Sequence, residues 1–162
     1  ARYDGVKYGF HVDGANLLED YMKSRGKGFG KEVRRRIILG TYVLSAGYYD
    51  SYYKKAVAVQ EMIRKDFDRI FTGDAGVDAI ITPTVPTPAF KMGEKMGDPL
   101  AMYLADIFTV PANIAGVPAI SVPSGFATRG DKNLPLGLQI TTPHMTEDRL
   151  FAIAKDFTGE SK

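Results

Sequence analysis

The sequence predicts an α/β layered fold. Apolar residues recur at helical spacing in several segments, and short continuous apolar runs lie among those segments. Helical patterns before, between and after the runs place helices against a sheet. The composition fits this class: 162 residues, 44% hydrophobic and 25% charged, are ordinary for one globular domain.

The first helix is expected over about Leu17 to Lys23, followed by a basic glycine loop holding Gly26, Gly28 and Gly30. The second runs from about Lys31 to Leu44, with Val33, Ile37, Gly40 and Leu44 on one face. The third, Ser51 to Phe71, has the strongest pattern: Ala56, Val59, Ile63, Phe67 and Ile70 recur at spacings of three or four. Asp50 or Ser51 is its candidate cap, and Gly73 lies past its end. Strands are expected at Asp78–Thr82, Pro118–Val122 and Leu136–Thr141. The first two are too short and too apolar for one-sided alternation, which reads as interior strands covered on both faces. Pro83, Pro123 and Pro143 each follow a strand, where a missing N–H is tolerated. The last helix runs from Thr146 to Phe157, with Thr146 as its cap and Glu147 and Asp148 at the positive end of its dipole.

Composition changes near residue 82. All nine Pro lie between Pro83 and Pro143, and eight of nine Tyr lie before residue 54. The net charge of +2 points to neither a nucleic acid nor a membrane surface. No stretch is apolar and Pro-free enough to span a bilayer, so a soluble chain without a membrane partner is expected. The absence of Cys removes disulfides, thiolate metal sites and a cysteine nucleophile, and two His cannot make a three-His metal site. The chain begins with Ala, which hints at a processed or truncated start.

Two charges stand out. Between Pro99 and Pro123 the only charged residue is Asp106, flanked by Leu104, Ile107, Phe108 and Val110. A carboxylate buried there needs a cation or several donors. It holds either the ammonium of a ligand or a structural partner such as an ion pair or a helix cap. Arg36 lies on the edge of the second helix's apolar face. Its planar fork suits a carboxylate in a pocket, although a stem lying over core with its head in water is the commoner arrangement. An Arg36–Asp106 ion pair would satisfy both without a ligand.

Other patterns carry less. Ser24-x-x-Lys27 and Ser51-x-x-Lys54 have the spacing of Ser–Lys hydrolases, but the first falls in the glycine loop and the second at a solvated helix start. The glycine loop lacks the preceding strand and the GK[ST] of a phosphate cradle. Arg34-Arg35-Arg36 beside many Tyr is a weak signal for RNA. His11 and His144 lie apart in polar, turn-like settings, suggest no triad and are expected to be exposed.

Several longer segments resemble a known family. These are Gly28-Phe-Gly-Lys-Glu-Val-Arg-Arg-Arg-Ile-Ile-Leu-Gly-Thr41, Ser45-Ala-Gly-Tyr-Tyr-Asp-Ser-Tyr-Tyr-Lys-Lys-Ala56 and Asp78-Ala-Ile-Ile-Thr-Pro-Thr-Val-Pro-Thr-Pro88. Val110-Pro-Ala-Asn-Ile-Ala-Gly-Val-Pro-Ala-Ile-Ser-Val-Pro123, Leu134-Pro-Leu-Gly-Leu-Gln-Ile140 and the opening Ala1–Gly9 belong with them. In this order they resemble the amidase-signature family and, within it, the A subunits of glutamyl-tRNA(Gln) amidotransferases. The resemblance implies one large mixed β-sheet flanked by α-helices, of which residues 1–162 would be the C-terminal portion. It implies glutamine hydrolysis by a Ser–cis-Ser–Lys triad through an acyl-enzyme, the ammonia passing to a B subunit. That triad belongs upstream of residue 1, so no catalytic residue and no metal ligand is expected in this chain. It maps Arg36 onto the residue that binds the glutamine α-carboxylate and Asp106 onto the one that binds its α-ammonium. It further implies B and C partner subunits, charged tRNA reached through the complex, and a cytoplasmic location. No cofactor is expected in this chain; ATP and Mg would be used by the B subunit. A general amidase acting on another amide, or a non-catalytic binding domain, are the other readings.

Overall fold

The computed structural model describes residues 5, 7–74 and 76–160. Ala1–Asp4 and Val6 of the opening segment lie outside the described residues. The chain forms two compact units, Ala1–Ala56 and Val57–Lys162.

In the first unit, α1 spans Leu17–Gly28 and α2 spans Lys31–Val43. Asn16 caps α1 by accepting from the Glu19 N–H at 3.1 Å, while the Glu19 carboxylate accepts from the Ala15 N–H at 3.0 Å. These two bonds fix the helix start. Helix α1 therefore runs through Gly26 and Gly28, where a loop was expected, although each glycine costs about 1 kcal/mol in a helix. The chain breaks only at extended Phe29, and Gly30 starts α2. A π-helical turn, Tyr49–Tyr53, follows and leads directly into α3, Lys54–Thr72. No side chain caps this junction, contrary to the expected role of Asp50 or Ser51. The Lys54 N–H instead donates to the Tyr49 carbonyl, and the Lys54 ammonium pairs with Asp50 at 2.6 Å. Tyr49 and Tyr53 of the turn stack with centroids 4.9 Å apart, and just before it Tyr42 and Tyr48 meet in a tilted pair with centroids 4.2 Å apart.

The second unit contains most of α3, then β1 (Ile80–Pro83), α4 (Pro99–Tyr103), α5 (Val110–Ala115), β2 (Ala119–Arg129), β3 (Lys132–Thr141) and α6 (Glu147–Thr158). The three strands form one antiparallel sheet in the order β1-β3-β2. Ile140 of the central strand stands opposite Ile81 on one side and Ile120 on the other. The expected interior strands β1 and β2 are thus the edges of this sheet, and β3 is its centre. The apolar runs marked only part of the hairpin. β2 and β3 continue through the polar stretch to a turn at Gly130–Asp131, pairing Arg129 with Lys132. Pro123 lies inside β2, beside the register shift between Pro123 and Phe126. A bulge on an edge strand tolerates the lost donor. Pro135 lies on β3 beyond the stretch that β1 covers, so its missing N–H faces no partner strand there.

Two small cores hold this unit. Val122, Ile140, Leu150 and Ala154 pack α6 on the sheet, joined by Ile120, Leu138 and Ile153. Ala112, Ala115 and Val117 receive Ile63, Phe67 and Phe71 of α3. The strongest helical pattern of the sequence therefore finds its partner in α5 and the residue two beyond it. Gly116, at φ 77°, ends α5 and reverses the chain into β2. Thr146 stands at the start of α6, but its hydroxyl donates to the Pro143 carbonyl at 2.7 Å rather than serving as the expected side-chain cap.

The apolar surface is only partly covered. The chain exposes 12224 Å². One body of 17.8 kDa exposes about 8,000 Å², and two separate bodies of these sizes about 9,600 Å². Val33 and Ile37 of α2 are nearly half exposed, and Val59 and Met62 of α3 more than half. Among the described residues no helix is long and apolar enough to cross a membrane.

Candidate functional site

Arg36 lies in the first unit, on α2. Glu32 in the first turn of that helix suits the positive end of the dipole and accepts from Arg36 Nε and Arg35 Nη2, both at 2.9 Å. The Arg35 and Arg36 hydrogen bonds hold the Glu32 carboxyl below its ordinary range. The Arg36 side chain is 67% exposed, so its head reaches outward from the helix.

Asp106 lies in the second unit and ends a 3-10 turn, Leu104–Asp106, that extends α4. Asp98 starts this stretch by accepting from the Ala101 N–H at 3.0 Å. The Asp106 carbonyl accepts from both the N–H and the hydroxyl of Thr109, at 3.1 and 3.2 Å. The carboxylate itself is exposed and makes no ion pair or hydrogen bond among the described residues. The apolar neighbourhood does not bury it, because Leu104 and Ile107 are themselves half exposed. The expected desolvation at Asp106 therefore does not arise from this chain's own packing.

A cleft of about 390 Å³ adjoins the turn, lined by Thr84, Thr109, Asn113, Ser121 and Gln139 among others. Gln139 is buried at the centre of the sheet. Its Nε2 donates to the Phe108 carbonyl at 2.9 Å and to Thr82 Oγ1 at 3.3 Å. Thr84 and Ser121 share a hydroxyl hydrogen bond of 2.6 Å over Gly137. A Cβ on Gly137 would stand 2.7 Å from the Thr84 hydroxyl and 2.8 Å from that of Ser121. Glycine in Pro-Leu-Gly-Leu-Gln is therefore what lets the two hydroxyls meet. Sequence reasoning passed over Gln139, Thr84 and Ser121. The available signal was a polar amide in the middle of an apolar strand, which requires a partner once buried.

The remaining candidates are structural. Ser24 is fully buried in α1, not in a loop, and its hydroxyl accepts from the Val12 N–H at 2.8 Å. Ser51 lies in the exposed π-helical turn. His144, expected to be exposed, is half-buried, with Nε2 enclosed and 3.9 Å from Asp68. His11 is exposed; its ring meets the Gly5 carbonyl and Asp13, and these raise its pKa, the carbonyl most. Among the described residues no three His, Asp or Glu side chains gather as a metal site.

Comparison with known proteins fits this architecture. The chain is 58% identical over 154 residues to the A subunit of the glutamyl-tRNA(Gln) amidotransferase of Thermodesulfovibrio yellowstonii, covering 95% of this chain and 31% of that protein. It is 55% identical over 163 residues to a glutamyl-tRNA(Gln) amidotransferase A subunit of Clostridium acetobutylicum, covering 100% and 32%. The chain thus spans about a third of the length of the curated relatives it matches. Among solved structures, an amidase superposes with a TM-score of 0.63 at 22% identity, covering 89% of this chain and 32% of that one. A 6-aminohexanoate cyclic dimer hydrolase superposes with a TM-score of 0.62 at 22% identity, covering 89% and 31%. These two establish a shared α/β fold. Residues 1–151 match the Amidase family, and the chain belongs to it.

Proposed function

We propose that residues 1–162 form the C-terminal portion of the glutamine-hydrolysing subunit of a tRNA-dependent amidotransferase, and that they supply the pocket for the glutamine head group. The observation that carries this reading is the 58% identity to an amidotransferase A subunit over 95% of the chain. Arg36 offers parallel N–H donors to the α-carboxylate, and Asp106 offers a counter-charge to the α-ammonium. Together they hold the amino-acid head so that the side-chain amide reaches a serine of the Ser–cis-Ser–Lys triad, which lies outside this chain. The exposed state of the Asp106 carboxylate supports the assignment, since among the described residues no partner already claims its charge.

The ammonia released passes to a B subunit that uses ATP and Mg²⁺ to amidate glutamate, or aspartate, on its tRNA. A C subunit completes the complex, which works in the cytoplasm. The exposed apolar faces of α2 and α3 then lie against the rest of the glutaminase subunit. This segment alone has no amidase activity.

Steady-state hydrolysis by the complete glutaminase subunit in its complex tests the reading. Glutamine is expected to turn over with a far higher kcat/KM than simple primary amides, and residues 1–162 alone are expected to be inert. Equal turnover of glutamine and simple amides would instead indicate a general amidase. Activity in the isolated segment would refute the absence of the triad.

A further inference from the structure

We infer that Gln139 is a positioning residue for Asp106; the inference rests on the reading of Asp106 as the ammonium site. Gln139 sits on β3, paired with Thr82 of β1 on one side and Ser121 of β2 on the other. Strands on both sides pair with this position. The side chain is buried, and Nε2 donates to the carbonyl of Phe108 at 2.9 Å. Phe108 is two residues after Asp106, in the short connection between the 3-10 turn and α5.

The Ile107 N–H reaches Leu104 only at 3.4 Å. Thr109 closes a loop back onto the Asp106 carbonyl through its N–H and its hydroxyl. The amide of Gln139 therefore anchors this closed loop, Asp106 to Thr109, to the sheet. An anchor of this kind sets where the Asp106 carboxylate stands without touching what it binds. Displacing a binding group by about 1 Å can cost up to about 100-fold. A buried amide on a paired strand, aimed at a loop carbonyl rather than at solvent, has the chemistry this task needs: an N–H donor on a rigid base.

The test uses the complete glutaminase subunit in its complex, with Gln139→Met, which keeps the volume and removes the donor, and Gln139→Leu, which removes the donor in a branched shape. Each is expected to raise the glutamine KM about 10-fold with kcat within about twofold. In an Asp106→Asn background each is expected to add less than about twofold, because the group being positioned is already disabled. The inference is overturned by an unchanged KM, by a loss in kcat instead, by equal losses in both backgrounds, or by failure of both variants to fold. Asp106→Asn distinguishes the two levels. If that variant alone leaves KM unchanged, the ammonium reading fails and takes this inference with it. If it raises KM while the Gln139 variants do not, only the positioning role fails.

Discussion

Replacing Gly137 by alanine adds a single methyl group at a crowded point of the sheet. The new Cβ would stand 2.7 Å from Thr84 Oγ1, 2.8 Å from Ser121 Oγ and 3.2 Å from Thr84 Cβ. Carbon–oxygen contacts this short do not persist, so one or both hydroxyls must move. Their 2.6 Å hydrogen bond then breaks. Overpacking of this kind costs about 1–3 kcal/mol, and the lost bond adds about 1 kcal/mol. For a protein about three times the length of this chain, each kcal/mol lowers the melting midpoint by about 1 °C. The complete protein carrying Gly137→Ala is therefore expected to melt about 2–4 °C lower. The same change in a Thr84→Ala/Ser121→Ala background removes both clashing oxygens and is expected to cost less than half as much. Equal losses in the two backgrounds, or no loss in either, would refute the argument that glycine is required by the hydroxyl pair.

Two further predictions concern the first unit. Glu32 has a lowered folded pKa, so its stabilising effect is complete above its ordinary value of 4.5 and is lost as pH falls through the lowered value. The difference in melting midpoint between the native protein and Glu32→Gln should therefore shrink from pH 7 to about pH 3; a difference independent of pH would dismiss the ion pairs with Arg35 and Arg36 as its cause. Ser24→Ala leaves the Val12 N–H without its 2.8 Å acceptor, a loss of about 1–3 kcal/mol, and hydrogen exchange at the Val12 amide should accelerate by at least about tenfold; unchanged protection there would mean that Ser24 does not hold the segment.

The sequence made some elements plain and hid others for identifiable reasons. Helices α2 and α3 were legible from apolar stripes at helical spacing, and α6 from Thr146 and the acidic residues after it; of the α3 stripe Ile63 and Phe67 pack inward, joined by Phe71, while Val59 and Ile70 stay exposed. The glycines of α1 concealed its full length, because propensity is weak against a well-made cap at Asn16. The hairpin's outer half was missed because Ser124–Arg129 and Lys132–Asn133 have no continuous apolar run, Phe126 and Ala127 standing among polar residues and Gly125, and backbone pairing rather than burial extends them. Interior strands were expected from apolarity alone, yet an edge strand is equally apolar when its face lies uncovered, as Ile81 shows at 58% exposure. The same confusion of apolar with buried misjudged Asp106. Its apolar neighbours are real, but burial depends on what covers them. Gln139 was overlooked because the search for chemistry followed charges, and a buried amide carries none.

The central claim is that Arg36 and Asp106 read the two charges of the glutamine head group. The glutamine KM of Arg36→Ala in the complete complex tests it most directly. A lost pair of charge-assisted hydrogen bonds is worth about 1.5–3 kcal/mol, so KM is expected to rise by about 10- to 150-fold with a kcat that stays within a few-fold. A folded Arg36→Ala enzyme with the native KM would contradict the account.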